Sequence, residues 1–362
     1  MNFTILGQGT AVPEHFIERQ ESVDMVTRAF CRTEKERRVV PALYRMAGVK
    51  KRHSVLLRER APGDNGPSYN LMYEPKSRED MGPRLSERME AYEEHSHPLA
   101  VRAAGQALEA SGISGGDITH LVTVSCSGFY APGVDVQLIQ ALGLPPTTER
   151  AHIGFMGCQG AMNGLRVARG FAAGNPDANV LLCAVEVCSI HYHYGWDPER
   201  VVANALFADG SAAVVGALRD HGGWSIRATG ACLIPDSEDA MTWRIRDHGF
   251  EMTLSARVPG LIEEHLRPWL EAWLAKEELG LEDVQTWAVH PGGPRILSSV
   301  AKSLDLPKGA LDVSRGVLQE FGNMSSPTIL FILDRLRAMD APLPCVALAF
   351  GPGLMAEAVL FA

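Results

Sequence analysis

Ile153-Gly154-Phe155-Met156-Gly157-Cys158-Gln159-Gly160-Ala161-Met162-Asn163-Gly164-Leu165-Arg166 is the most informative passage of the chain. An apolar run ends in glycines that flank a cysteine, and a stretch rich in Ala, Leu and Arg follows at once. That order predicts a strand, a tight turn and a helix, with Cys158 at the helix start. Unpaired N–H groups and the positive end of the macrodipole favour negative charge there. The thiol is therefore expected to ionise readily and to act as a nucleophile. Gly157 and Gly160 leave room for a carbonyl to approach the backbone. The same passage can also be read as a tight turn around a packing cysteine.

Outward from this passage, apolar strands alternate with helices. His120–Ser125, Asn179–Val185 and Ala212–Ala217 read as buried strands, and Val134–Leu142, residues 158–173 and Val201–Phe207 as helices. Beyond residue 220 the pattern recurs. Trp224–Ala228, Val284–His290 and Cys345–Phe350 read as strands, and Pro259–Leu279, Pro294–Leu304 and Met324–Met339 as helices. Continuous apolar strands between helices predict a sheet covered on both faces. Two βαβ-rich halves, 1–220 and 221–362, suggest a duplicated, layered α/β fold, although no strict sequence repeat accompanies it. Towards the N-terminus the expectations are a strand at Phe3–Leu6, helix over about 20–48, and a long helix from Ser86 to Ser111 interrupted near Pro98. Residues 59–85, with Pro62, Gly63, Asn65, Gly66, Pro67, Pro75, Gly82 and Pro83, are expected to be loop.

The bulk properties exclude several classes of function. A formal net charge of −9 over 362 residues supplies no positive field for nucleic acid. No apolar run approaches the ~20 residues of a membrane helix. The first residues lack a basic stretch followed by an apolar core, so no secretory signal is expected. Seven cysteines without a Cys-x-x-Cys pair fit free thiols in a reducing cytoplasm. His191-Tyr192-His193 and His95-Ser96-His97 have ligand-like spacing, but no partnering set accompanies them, and no metal is expected. Gly7-Gln8-Gly9 follows a strand, yet Pro13 and the lack of a downstream ribose-binding acid argue against a dinucleotide site.

Two further windows bear on Cys158. In W-A-V-H-P-G-G-P-R-I-L (Trp287–Leu297) a strand ends at His290, where α/β active sites assemble. In E-F-G-N-M-S-S-P-T (Glu320–Thr328) Asn323 follows a glycine at a helix start, where it could also serve as an N-cap. Cysteine, histidine and asparagine at successive loop–helix junctions would supply a nucleophile, a base and an oxyanion donor.

These windows resemble the chalcone and stilbene synthase family, the type III polyketide synthases. The resemblance extends to A-L-F-A-D-G-S-A-A (Ala205–Ala213), V-P-G-L-I (Val258–Ile262), H-P-G-G-P, G-N-M-S-S-P-T and F-G-P-G-L (Phe350–Leu354). It implies a thiolase-like, five-layered αβαβα fold and a homodimer acting on coenzyme A thioesters without metal or redox cofactor. It also implies decarboxylative condensation of malonyl-CoA onto an acyl-CoA starter held on Cys158, with His290 and Asn323 stabilising the enolate. Phe207 matches the gatekeeper aromatic between coenzyme A tunnel and cavity, and Met252 stands at the second gatekeeper. Trp243 and His191 replace a glycine and a threonine of the plant enzymes, which would narrow the cavity and favour a small or slender aliphatic starter. Cys126, Ser127 and Ser325 match cavity positions, and Ala131 replaces a methionine that crosses the plant dimer interface. Arg45 matches a phosphate-binding arginine, and Lys50, Lys51 and Arg52 offer a basic cluster. Rival readings are a ketoacyl carrier-protein synthase III or hydroxymethylglutaryl-CoA synthase, a Cys/His/Asn amide hydrolase, and a non-catalytic thiolase-fold binding protein.

Overall fold

Every residue of the strand Val180–Val187 is buried, and alternate side chains leave it in opposite directions. Val180, Leu182 and Ala184 join one apolar cluster, while Leu181, Cys183, Val185 and Val187 join another. A strand of this kind must be covered on both faces, and each fully buried Val or Leu contributes roughly 1.5–3 kcal/mol relative to exposure. Cys345–Gly351 repeats the arrangement: Cys345, Ala347 and Ala349 face the first cluster, and Val346, Leu348 and Phe350 face a third.

The computed structural model describes residues 1–59, 69–71, 73, 77, 79–220 and 223–362. Nine strands form one mixed sheet, in the order Thr286–Val289, Cys345–Gly351, Met355–Phe361, Ser225–Leu233, Asn2–Ala11, Asp209–Arg219, Val180–Val187, His120–Ser125, Glu149–Gly154. The sheet narrows at its centre, where Asn2–Ala11 and Ser225–Leu233 share only the pairs Phe3↔Ile226 and Thr4↔Ser225. Helices Gly160–Gly174 and Pro327–Ala338 contact strands on both sides of that pinch, so the sheet folds over them. Helices Leu85–Ser111 and Val134–Leu142 cover one outer face, and Val258–Leu274 and Pro294–Ser303 the other. The result is helix, sheet, helix, sheet, helix: the thiolase-like layering expected.

Gly7 and Gly9 serve this layering. A Cβ at Gly7 would lie 2.2 Å from the Ala107 carbonyl oxygen, and one at Gly9 2.3 Å from that of Ala103. Both glycines let the Leu85–Ser111 helix lie directly on the first strand.

Several local expectations need correction. The helix expected over 20–48 is two helices, Arg19–Phe30 and Glu34–Met46, because Thr33 and Glu36 form a capping box that starts the second. Leu85–Ser111 runs unbroken through Pro98, where burial of Leu99, Ala100, Ala103 and Ala104 offsets the lost hydrogen bond. The helix expected at Val201–Phe207 is Pro198–Leu206, with Phe207 just beyond its end. Within the expected loop, Tyr69–Leu71 pairs with Leu57–Glu59. Pro62, Gly63, Asn65, Gly66, Pro67 and Pro75 lie outside the described residues.

Candidate active site

The strand Glu149–Gly154 delivers the chain to a sharp turn, where Phe155 and Gly157 both take left-handed φ values, 62° and 67°. At Gly157 a Cβ would come within 2.5 Å of Pro352, so only glycine fits. Cys158 sits in the turn that opens the helix Gly160–Gly174, as its sequence context implied. From the other flank of the sheet, Thr286–Val289 ends at His290, whose N–H donates to the Leu348 carbonyl at 2.8 Å. Asn323 follows Gly322, whose φ of 75° turns the chain out of the helix Asp312–Phe321. Its N–H donates to Leu206 O and its carbonyl accepts from Ala208 N–H, both at 2.9 Å.

The three side chains line one cavity of about 380 Å³ together with Phe207, Met241, Met252, Leu254, Gly292, Ile296 and Phe350. Asn323 Oδ1 accepts the Ser325 N–H at 2.8 Å, leaving its Nδ2 free to face Cys158 Sγ, 3.9 Å away. His290 is 1% exposed, and neither ring nitrogen has a hydrogen-bond partner among the described residues. A buried imidazole that spends neither nitrogen on the protein keeps both for a substrate or for proton transfer.

A second cavity of about 750 Å³ adjoins the first. Cys158, Phe207, Met241 and Met252 line both and form the partition between them. Cys126, His191, Trp243 and Ser325 line the larger one, joined by Phe250, Cys188, Asn204 and Arg52. Its polar groups are largely spent on the protein itself. Trp243 Nε1 donates to Cys126 O at 2.8 Å, His191 Nε2 contacts Ser127 O at 2.6 Å, and His191 Nδ1 accepts the Phe250 N–H at 3.0 Å. The His191 ring also stacks on Phe250 at 4.2 Å. Asn204 is bonded through both amide atoms to the His193 backbone.

Electrostatics alter one expectation. The helix start does favour a thiolate, yet burial outweighs it and pushes the Cys158 thiol up to about 11, with Ser325 and Asn323 hydrogen bonds pulling the other way. Burial likewise pushes His290 down to about 3. Both shifts favour the neutral forms of the resting pair. Since a raised thiol pKa leaves little thiolate at neutrality, alkylation of Cys158 by iodoacetamide should quicken about tenfold per pH unit from about pH 6 to pH 9. Peptide mass spectrometry would measure it, and a plateau across that range would show a preformed thiolate–imidazolium pair instead.

Other expected positions lie elsewhere. Ser127 does not face the cavity, because its Oγ donates to the Glu186 carboxylate at 2.6 Å and accepts the Val187 N–H at 2.9 Å. Ala131 is exposed in a surface turn and lines neither cavity. Arg45 and Lys50 are exposed, and Lys51 Nζ lies 4.7 Å above the Phe16 ring. Arg52 is no surface cation: it is 8% exposed, with its guanidinium donating to the Asn204 and Phe207 carbonyls.

Glu186 lies outside every sequence window that marks the site. Fully buried at the end of an apolar strand, it accepts from the N–H groups of Cys126 and Ser127 and from the hydroxyls of Ser125, Ser127 and Ser326. A carboxylate inside the all-apolar run N-V-L-L-C-A-V-E-V was the available signal. Phe250 was missed because nothing in the sequence places it under His191.

A thiol, an imidazole and a carboxamide at the inner ends of this layered fold define a condensing enzyme of the thiolase-like class. Residues 2–218 match the N-terminal domain of the chalcone and stilbene synthases, and residues 225–362 match their C-terminal domain. The chain belongs to that family and is a type III polyketide synthase, an acyltransferase. It is 33% identical to the 1,3,6,8-tetrahydroxynaphthalene synthase of Streptomyces peucetius subsp. caesius, over 97% of this chain and 90% of that one. It is 31% identical to the alpha-pyrone synthesis polyketide synthase-like Pks18 of Mycobacterium tuberculosis, over 99% of this chain and 90% of that one. The crystal structure of PKS-I from the brown alga Ectocarpus siliculosus superposes with a TM-score of 0.91 at 30% identity, covering 99% of this chain and 98% of that one. Among the described residues, no group of three or more His, Cys, Asp or Glu could hold a metal ion, and no helix is long and apolar enough to cross a membrane.

Proposed function

We propose that Cys158 carries an acyl chain received from acyl-CoA and that malonyl-CoA extends it by decarboxylative condensation. The unpartnered His290 beside Asn323 and Cys158 is the observation that carries this reading. His290 accepts the thiol proton as Cys158 attacks the starter thioester, and coenzyme A leaves with that proton. Malonyl-CoA then presents its thioester oxygen to Asn323 Nδ2 and His290 N–H, which stabilise the enolate as CO2 departs. The enolate carbon attacks the acyl–Cys158 carbonyl and the C–S bond breaks, so the extended chain leaves on coenzyme A; the freed thiolate attacks that thioester to reload the chain, or takes a proton from water when extension ends. Repeated rounds yield a chain that closes to a small aromatic or pyrone product.

The two cavities suit two roles: coenzyme A thioester on the His290 side and growing chain on the other, with Phe207 and Met252 as gate. Cys158 would come from residues 1–220 and its two partners from 221–362. The larger cavity's wall, locked by His191, Trp243 and Phe250, offers shape and few free hydrogen-bonding groups, which favours a small or slender aliphatic starter. Arg45 and Lys50 remain exposed for coenzyme A phosphates. No bound cofactor enters these steps. A homodimer is supported by the edge strand Glu149–Gly154, unpaired on one side among the described residues, with exposed Phe129 and Met156 nearby. Seven free cysteines favour a cytoplasmic setting.

A panel of acyl-CoA starters with malonyl-CoA, read by mass spectrometry of products, tests this. Extension from aliphatic starters with release of CO2 is expected. Efficient tetraketide formation from coumaroyl-CoA would refute the narrowed cavity, and the absence of malonyl-dependent CO2 would refute the reaction.

A further inference from the structure

Arg52 lies on the strand Lys51–His53, outside the reacting groups, yet it touches what holds them. One guanidinium nitrogen donates to the carbonyls of Asn204 and Phe207, the latter at 3.1 Å, and another donates to Ser22 Oγ at 3.2 Å. No carboxylate among the described residues pairs with it within 4.0 Å. Burial raises the Asp209 pKa to about 6, the Arg52 charge offsets this only in small part, and the Asp209 oxygens are occupied by Ser189 and the Val55 N–H.

The two carbonyls lie at the C-terminal end of the helix Pro198–Leu206, where backbone acceptors lack helical partners and the macrodipole is negative. A buried cation satisfies both needs at once. The next residue along carries the effect to the reaction centre. Phe207 and Asn323 form a parallel bridge, with Asn323 N–H donating to Leu206 O and Ala208 N–H to Asn323 O. Arg52 also abuts the far side of that bridge, since a Cβ on Gly322 would meet its Cγ at 3.3 Å. The Lys50 N–H donates to Gln319 O at 2.8 Å, tying the same segment to the helix that precedes Asn323.

We propose that Arg52 is a positioning residue that aims the Asn323 carboxamide and sets the Phe207 partition, and that it binds no coenzyme A phosphate. This rests on the proposed role of Asn323. Steady-state kinetics of malonyl-CoA decarboxylation and of chain extension on Arg52→Met, Arg52→Lys and Arg52→Ala test it, with Asn323→Ala as reference. The Met and Lys variants should lose kcat by roughly 10- to 100-fold in both reactions, with KM for malonyl-CoA nearly unchanged, because misaimed groups cost rate more than affinity. Guanidinium ions added at millimolar concentration should restore part of the Arg52→Ala rate. If Arg52→Met does not fold, Arg52→Lys, which keeps the charge but has one nitrogen and cannot hold both carbonyls and Ser22 Oγ at once, gives the same readout. A raised KM at unchanged kcat, or wild-type kinetics in Arg52→Lys, overturns the proposal. Loss of decarboxylation in Asn323→Ala beside unaffected Arg52 variants refutes the positioning role alone. Full decarboxylation in Asn323→Ala refutes the reading of Asn323 itself.

Discussion

Cys158→Ala is expected to lower chain extension by at least about a thousandfold while malonyl-CoA decarboxylation continues, because the first needs a covalent anchor and the second does not. The two activities separate cleanly in this site. Extension needs an acyl group held on sulfur, and the other two thiols that line the larger cavity, Cys126 and Cys188, are poor substitutes: burial first, then the Glu186 charge, raises the Cys188 pKa well above the ordinary thiol value. Cys126 is buried, its Sγ 3.2 Å from Ser325 Oγ, with its pKa raised well above the ordinary thiol value by burial and by the Glu186 charge. Under the proposed mechanism decarboxylation needs only donors at the thioester oxygen, a role assigned to Asn323 Nδ2 and the His290 N–H. Alanine at 158 leaves both in place, since Asn323 is held through the Leu206 and Ala208 backbone and the Ser325 N–H. Radiolabelled CO2 release and product mass spectrometry on one preparation measure the two rates. Continued extension by the variant would show that the acyl chain is not carried on Cys158.

The second large effect is on stability. Glu186→Ala is expected to destabilise the fold by about 3–5 kcal/mol, the range for stripping a buried charged acceptor from several donors. Glu186 gathers the N–H groups of Cys126 and Ser127 and the hydroxyls of Ser125, Ser127 and Ser326, and so ties two separate chain segments to its own strand. Removing the carboxylate leaves these donors dry and unpaired, in a site whose neighbour Ser125 also receives the Tyr92 hydroxyl at 2.7 Å. Burial raises the Glu186 pKa while the Ser127 and Ser326 hydroxyls lower it. The Glu186→Gln variant should fare better, since it keeps one acceptor oxygen. Chemical denaturation of the three proteins, followed by circular dichroism, tests the order: wild type, then Gln, then Ala. Equal midpoints for Ala and wild type would mean that the cluster carries no net stability.

Much of the layered fold was legible because its strands are buried on both faces. Runs such as Val180–Val187 and Cys345–Gly351 can be read as doubly covered strands without knowing what covers them. Cys158, His290 and Asn323 were legible because each stands where an element ends, a junction that glycine or proline marks in the sequence. The thiol's protonation state was not legible. The helix start is a local property and argues for a thiolate, while the burial that pushes the pKa to about 11 comes from segments far away in sequence. Arg52 misled for the same reason. In K-K-R it resembles a solvated cation, but the helix Pro198–Leu206 brings two bare carbonyls onto it.

Cys158 at a glycine-flanked helix start, the two-sided strands and the family were determined by sequence alone, because they rest on neighbours one to four residues apart. Tertiary structure alone decided which groups are spent and which are free. Ser127 and Glu186 are consumed by the scaffold, His191 and Trp243 by the cavity wall, and Arg52 by a helix end. Among the described residues His290 is left without a hydrogen-bond partner beside Cys158 and Asn323. Hydrogen bonds between residues from 59 apart, as in Ser127 and Glu186, to 155 apart, as in Arg52 and Phe207, set that division, and no local pattern encodes them.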